Sequence, residues 1–262
     1  MSEATSLPRI GDHAPDFQAV STQCADFNFS AWQEQDWVVL FSHPADFTPV
    51  CTTEILEFAR QHERFAARRI KLIGISVDSI HSHLAWLQNM KEKMGVVIPF
   101  PLIADVTMEV SQLYGMIHPG ASSTATVRAV FVIDPKRIIR ALIYYPMNAG
   151  RNIEEVFRLV TALQTTEKFS CATPANWQEG GKVVVPPPKT MKEVDERLSQ
   201  SDVEQKDFYL MLKDIHANKV SAPAPSPASA PVSAPPAATP APTPAPASAP
   251  NPEAKPSETQ PS

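Results

Sequence analysis

The sequence predicts an α/β fold: a mixed sheet with helices on both faces, followed by a C-terminal arm and a disordered Pro/Ala-rich tail. Three observations carry this. Short apolar runs of strand length alternate with segments of helical periodicity as far as residue 164. Two of the runs, 127–133 and 138–145, are separated only by the four residues DPKR, a turn that makes them an antiparallel pair. The composition then changes abruptly near Val220: residues 221–262 hold 14 of the 27 prolines and no Gly, Leu, Ile, Met or aromatic residue. Such a segment buries too little apolar surface to offset the entropy of ordering it. It reads as a polyproline-type solubilising tail, with a proline-binding partner as the sharper alternative.

Each element follows from its own pattern. Residues 37–42, WVVLFS, are an apolar run of strand length, and residues 50–68 turn helical through Ile55, Phe58, Ala59, Phe65 and Ala66. Residues 70–77, IKLIGISV, form a second buried strand. Residues 79–94 are helical through Ile80, Leu84, Leu87, Met90 and Met94. FPLIA, 100–104, is short and extended, and 107–115 is a short helix ended by Gly115. The hairpin comes next, then a helix over 152–164 carried by Ile153, Val156, Phe157, Val160 and Leu163. Residues 171–188 read as irregular. Residues 190–214 read as an arm of short helices that packs on its own domain or on a second subunit. The expected boundaries are a domain over 7–166, the arm over 167–220 and the tail over 221–262.

Net charge is −5, which gives no electrostatic footprint for nucleic acid or an anionic membrane. No apolar run reaches the ~18 residues of a membrane span, and the opening MSEATSLPRI lacks the basic-then-apolar pattern of a secretory signal. Three scattered cysteines, Cys24, Cys51 and Cys171, argue against a disulfide scaffold or a cysteine-based zinc site. The expectation is a reducing, cytoplasmic setting.

Chemistry concentrates in residues 41–54, FSHPADFTPVCTTE, where a strand ends and a helix begins. Thr48 is an N-cap type and Pro49 suits the first helical position, where a missing N–H costs nothing. That count places Cys51 in the first turn, among N–H groups without intrahelical partners that favour an anion. A reactive thiolate is one reading and an inert core thiol the other. In an open α/β sheet, sites gather at the carboxyl ends of strands, and Cys51 follows one.

The pattern Pro-x-x-x-Thr-x-x-Cys at Pro44, Thr48 and Cys51 resembles the peroxiredoxins, thiol peroxidases on a thioredoxin-like fold. His43 before Pro44 and Thr52 after Cys51 resemble the 1-Cys subgroup. GDHAPDF, VRAVFVIDP, YYPMNAGRN and ATPANW extend the likeness across most of residues 7–215. The resemblance implies that Cys51 is the peroxidatic nucleophile, that Thr48 hydrogen-bonds thiolate and peroxide, and that Pro44 shields the pocket. It implies that Arg128 is the active-site arginine, that Glu54 orients it, and that His43 lines the pocket. From pattern alone, Arg128 on an apolar strand is equally an outward-snorkelling side chain. Glu54 is equally a first-turn acid answering the helix dipole, and His43 a satisfied pocket histidine. His62 reads as packing and Trp177 as an anchor for the arm.

The family chemistry needs no cofactor and no metal. Its implied partners are a peroxide substrate, an external thiol reductant such as thioredoxin or glutathione, and a second copy of the chain in a homodimer, with a higher ring as the alternative. The typical 2-Cys pattern puts a resolving cysteine in V-C-P four residues before a Trp. Here Cys171 lies six residues before Trp177 in CATPANW, so it is displaced from that position. The expectation is that Cys171 does not resolve the sulfenic acid. Some 1-Cys members carry a lipase-like G-D-S-W-G, but residues 34–38 are EQDWV without serine, so serine-dependent lipase activity is not expected. The competing function is a redox sensor or chaperone switched by oxidation of Cys51. A disulfide reductase is disfavoured because no C-x-x-C pair is present.

Overall fold

The computed structural model describes residues 7–216, and the expectation for 221–262 lies outside them. The sheet is built around β3 (Trp37–Ser42), every residue of which is buried. Its neighbours are β4 (Ile70–Ser76), parallel to it, and β6 (Arg128–Ile133), antiparallel to it. Beyond β4 lie β5 (Leu102–Ala104), β1 (Gln18–Ser21) and β2 (Phe27–Asn28); beyond β6 lies β7 (Ile139–Tyr145). The order is β2-β1-β5-β4-β3-β6-β7, a mixed seven-stranded sheet of the thioredoxin-like kind.

The central strands read as continuous apolar runs because both faces are covered, and the side chains alternate between them. Val39 and Phe41 point to one core with Ile55 and Phe58 of α2 (Pro49–Ala66), Trp86 and Met90 of α3 (Ile80–Met94), and Val156 and Phe157 of α5 (Ile153–Phe169). Val38 and Leu40 point to the other, with Phe29 of α1 (Phe29–Gln33) and Val110 of α4 (Glu109–Leu113). His62 packs beside Phe100 at 6.4 Å between ring centres, as its place on the apolar face of α2 suggested.

Two regions differ from the sequence reading. The pieces β1, β2 and α1 are too short and too polar to show a period; α1 is set by its Asn28 cap, whose side chain accepts from the Ala31 N–H. The arm is also not only helical. One helix, α6 (Met191–Leu198), accompanies a three-stranded sheet of β8 (Val183–Val184), β10 (Leu210–Lys213) and β9 (Glu204–Asp207). Its strands bury only Val183 and Met211, so the sequence shows charge rather than alternation. Trp177 is buried; its Nε1 donates to Gly181 O at 3.0 Å and its carbonyl accepts from Arg158 of α5.

Candidate active site

The chain leaves β3 at Ser42, crosses a short loop and enters α2 at Pro49. Thr48 occupies the N-cap position, with extended backbone, and Pro49 is the first helical residue. Cys51 is therefore the third, fully buried, and Thr52 is the residue whose N–H returns to the Thr48 carbonyl, at 2.9 Å. In one respect the cap differs from expectation. The Thr48 hydroxyl makes no cap bond and instead donates to Ala45 O at 2.9 Å. With its hydrogen committed backwards, the oxygen keeps its lone pairs for another donor. Pro44 is buried in the same loop.

Sheet register brings the first cation in. Because β6 runs antiparallel to β3, with Phe41 opposite Val130, the start of β6 lies beside the end of β3. Ser42 Oγ fastens the two, donating to Val127 O at 2.6 Å and accepting from the Ala129 N–H at 3.0 Å. Arg128 is thereby buried instead of snorkelling outward, and its Nη1 is 3.4 Å from Cys51 Sγ. Nε and Nη2 donate to Met147 O at 3.0 and 2.7 Å, which fixes the plane of the guanidinium.

Glu54, one helical turn after Cys51, accepts from Arg128 Nη1 at 2.7 Å. It also accepts from a residue that pattern reading did not single out. Arg151, just before the Asn152 cap of α5, donates its backbone N–H at 2.7 Å and Nε at 2.9 Å to Oε1, and Nη2 at 2.7 Å to Oε2. Its Nη1 reaches Ser42 O and Ala129 O at 2.9 and 3.0 Å. The signal was in YYPMNAGRN, but nothing local marks that arginine as buried. Burial pushes the Glu54 carboxyl up, yet the charge and hydrogen bonds of Arg151, with Arg128, hold it below its usual range. Burial lowers Arg151 against the pull of Glu54. A guanidinium still keeps its proton. Two guanidinium groups against one carboxylate leave one positive charge over, and it lies beside the Cys51 sulfur.

His43 is fully buried next to a second, separate network. Its Nε2 lies 2.9 Å from Asp46 Oδ1, and Asp46 Oδ2 lies 2.8 Å from His83 Nδ1. His43, Asp46 and His83 offer ligand atoms within 4.8 Å of one another, spacing that suits a small cation. Those atoms are engaged with each other by hydrogen bonds, so the group reads as a hydrogen-bonded chain and not a ligand set. Burial lowers His43 despite the opposing Asp46 carboxylate, while the two imidazoles hold Asp46 well below the carboxylate range against its burial. Cys171 stands apart, in partial exposure after α5, and Cys24 is exposed.

The AhpC/TSA family matches residues 10–142, and the C-terminal domain of 1-Cys peroxiredoxin matches residues 162–200. The chain belongs to the peroxiredoxin family. A peroxiredoxin of Aquifex aeolicus is 53% identical over 223 residues, 81% of this chain and 100% of the relative. Among solved structures, a yeast mitochondrial 1-Cys peroxiredoxin, studied for thiol resolution via glutathione/thioredoxin systems, superposes with a TM-score of 0.71 at 42% identity. That match covers 79% of this chain and 99% of the other. A cysteine-to-serine variant of peroxiredoxin 6 of Arenicola marina gives 0.70 at 35% identity, over 79% and 98%. As a peroxiredoxin the chain is a thiol-dependent peroxidase, an oxidoreductase. No helix among the described residues is long and apolar enough to cross a membrane.

Proposed function

We propose that this peroxiredoxin reduces hydrogen peroxide and organic hydroperoxides through a sulfenic acid on Cys51, and that an external thiol recycles it. The observation that carries this is the buried Arg128 guanidinium 3.4 Å from Cys51 Sγ, in a network with one positive charge to spare. In the reaction the sulfur attacks one peroxide oxygen; the S–O bond forms as the O–O bond breaks, and the departing oxygen takes up a proton. Sulfur is oxidised by two electrons and the peroxide is reduced by two, giving Cys51–SOH and water or an alcohol.

Negative charge passes from sulfur to the departing oxygen, so donors fixed beforehand around both lower the barrier. Arg128 supplies the charge; Glu54 and Arg151 keep its fork from turning. Thr48 offers an oxygen acceptor to the peroxide hydrogen, and Pro44 keeps bulk water from the sulfur. Cys171 is not the resolving residue in this reading. The reductant is a thioredoxin, glutathione or similar thiol, and the working unit is a homodimer joined through the arm, in a reducing compartment such as the cytoplasm.

The test is non-reducing intact mass with peptide mapping after one equivalent of hydrogen peroxide. Oxygen on Cys51, trappable as sulfenic acid, is the expected result. A Cys51–Cys171 disulfide between subunits overturns the external-thiol assignment, and a Cys51 that stays reduced overturns the function.

A further inference from the structure

The strands β3 and β6 pair from Val38 opposite Ile133 as far as Phe41 opposite Val130, and there the pairing stops. Neither strand ends at that point on its other side. Ser42 still pairs with Ile75 of β4, and Arg128 and Ala129 still pair with Tyr145 and Tyr144 of β7. Pairing lapses only at the central seam, beside the loop that leads to Cys51. Ser42, Thr126 and Ala129 are fully buried there and Val127 nearly so. Each main-chain group left over at the seam therefore needs a partner within the protein.

Those partners are side chains. Ser42 Oγ donates to Val127 O at 2.6 Å and accepts from the Ala129 N–H at 3.0 Å. Thr126 Oγ1 donates to His43 O at 2.7 Å. Arg151 Nη1 spans the same gap, to Ser42 O at 2.9 Å and Ala129 O at 3.0 Å. The width of the gap is thus fixed by side-chain groups and not by direct backbone bonds. Arg128 is carried at this gap. The residues on either side of it, Val127 and Ala129, are the two that the Ser42 hydroxyl holds. Its Nη1 is 3.4 Å from Cys51 Sγ and 2.7 Å from Glu54 Oε2, so a small displacement of its Cα changes the aim of the fork.

We propose that Ser42 and Thr126 are positioning residues of the active site, whose hydroxyls set the gap between β3 and β6 and thereby aim the Arg128 guanidinium at the Cys51 sulfur. The inference rests on the peroxidase reading and adds two residues that act through Arg128. Without the Ser42 hydroxyl, Val127 O and the Ala129 N–H lose a partner in a buried setting, and the strands gain by closing the gap onto each other. Closure competes with Arg151 Nη1 for Ser42 O and carries the Cα of Arg128 with it.

The test compares Ser42→Ala, which removes little more than the oxygen, with Ser42→Thr, which keeps it, in the full chain. Stopped-flow oxidation of Cys51 by hydrogen peroxide is expected to slow about tenfold in Ser42→Ala and to return to within about threefold of wild type in Ser42→Thr. Made on an Arg128→Met background, Ser42→Ala is expected to change the rate by less than about twofold, because no guanidinium is left to aim. Nitrogen-15 NMR of the arginine side chains is expected to show the Arg128 Nε signal, which reports its bond to Met147 O, moved in Ser42→Ala and restored in Ser42→Thr. An unchanged rate in Ser42→Ala, a Ser42→Thr as slow as it, or an equal loss with and without Arg128 each overturns the proposal. If Ser42→Ala does not fold, Thr126→Val, which exchanges a hydroxyl for a methyl, is held to the same loss and the same dependence on Arg128. A wild-type Cys51 inert to peroxide sinks the peroxidase reading instead, and the Arg128 signal alone then decides whether the hydroxyls place the guanidinium.

Discussion

Cys51 and Cys171 are the same side chain placed at opposite ends of helices. Cys51 is the third residue of α2, in the turn whose N–H groups lack intrahelical partners, and Arg128 stands 3.4 Å away. Cys171 lies just past α5, after Ser170 in the left-handed conformation; its N–H closes on Thr166 O at 3.3 Å and its sulfur faces Thr165 O at 3.8 Å. One sulfur sits at the amino end of a helix beside a guanidinium, the other at the carbonyl end of a helix dipole. Burial also pushes the Cys171 thiol up, with no cation among the described residues to reverse it. In the proposed reaction, what distinguishes the two cysteines is the helix end and its counter-charge, not burial, since Cys51 is the more buried of the two.

Removing the counter-charge strikes the contrast hardest. Arg128→Met should lower the second-order rate constant of Cys51 oxidation by about 10²–10³-fold, read by stopped-flow with one equivalent of peroxide. A loss of less than about threefold would mean that the helix terminus alone activates the sulfur. Glu54→Gln probes the support behind that cation. It leaves two buried guanidinium groups without their carboxylate and should destabilise the fold by about 3 kcal/mol at neutral pH. The sign with pH follows from its direction: the folded carboxyl is held below its ordinary value of 4.5, so its stabilisation is complete above that value. It is lost as pH falls through the lowered folded value, and denaturant melts in acid should converge for wild type and variant. A gap that persists or widens in acid would contradict the ion-pair account. Cys171→Ser should do least, leaving turnover with an external thiol within about twofold, as for a substitution at a partly exposed site. If turnover stalls, and wild type forms a disulfide-linked dimer on oxidation, the two cysteines are partners and the contrast loses its meaning.

Much of this was legible because it is local. The run WVVLFS, the Thr-Pro pair and Cys51 lie within about fifteen consecutive residues, and strand end, cap and first turn follow from their order. The long helices were legible from their period. The arm was not, since two- to four-residue strands paired in a small sheet leave no period to read. Thr48 shows the same limit at one residue: its type predicts a cap, but whether the hydroxyl turns forward to the helix or back to Ala45 depends on the loop around it.

By itself the sequence determined the α/β class, the placing of Cys51 at a helix N-terminus and, by its likeness to the peroxiredoxins, the candidates Pro44, Thr48, Glu54 and Arg128. Tertiary structure decided which charges meet. Glu54 and Arg128 are 74 residues apart, Glu54 and Arg151 are 97 apart, and Asp46 and His83 are 37 apart. No periodicity carries over such separations. Those contacts exist because the antiparallel register of β6 against β3 and the packing of α3 and α5 on one face bring distant polar side chains into a space without water. There each can satisfy its charge or hydrogen bond only on another.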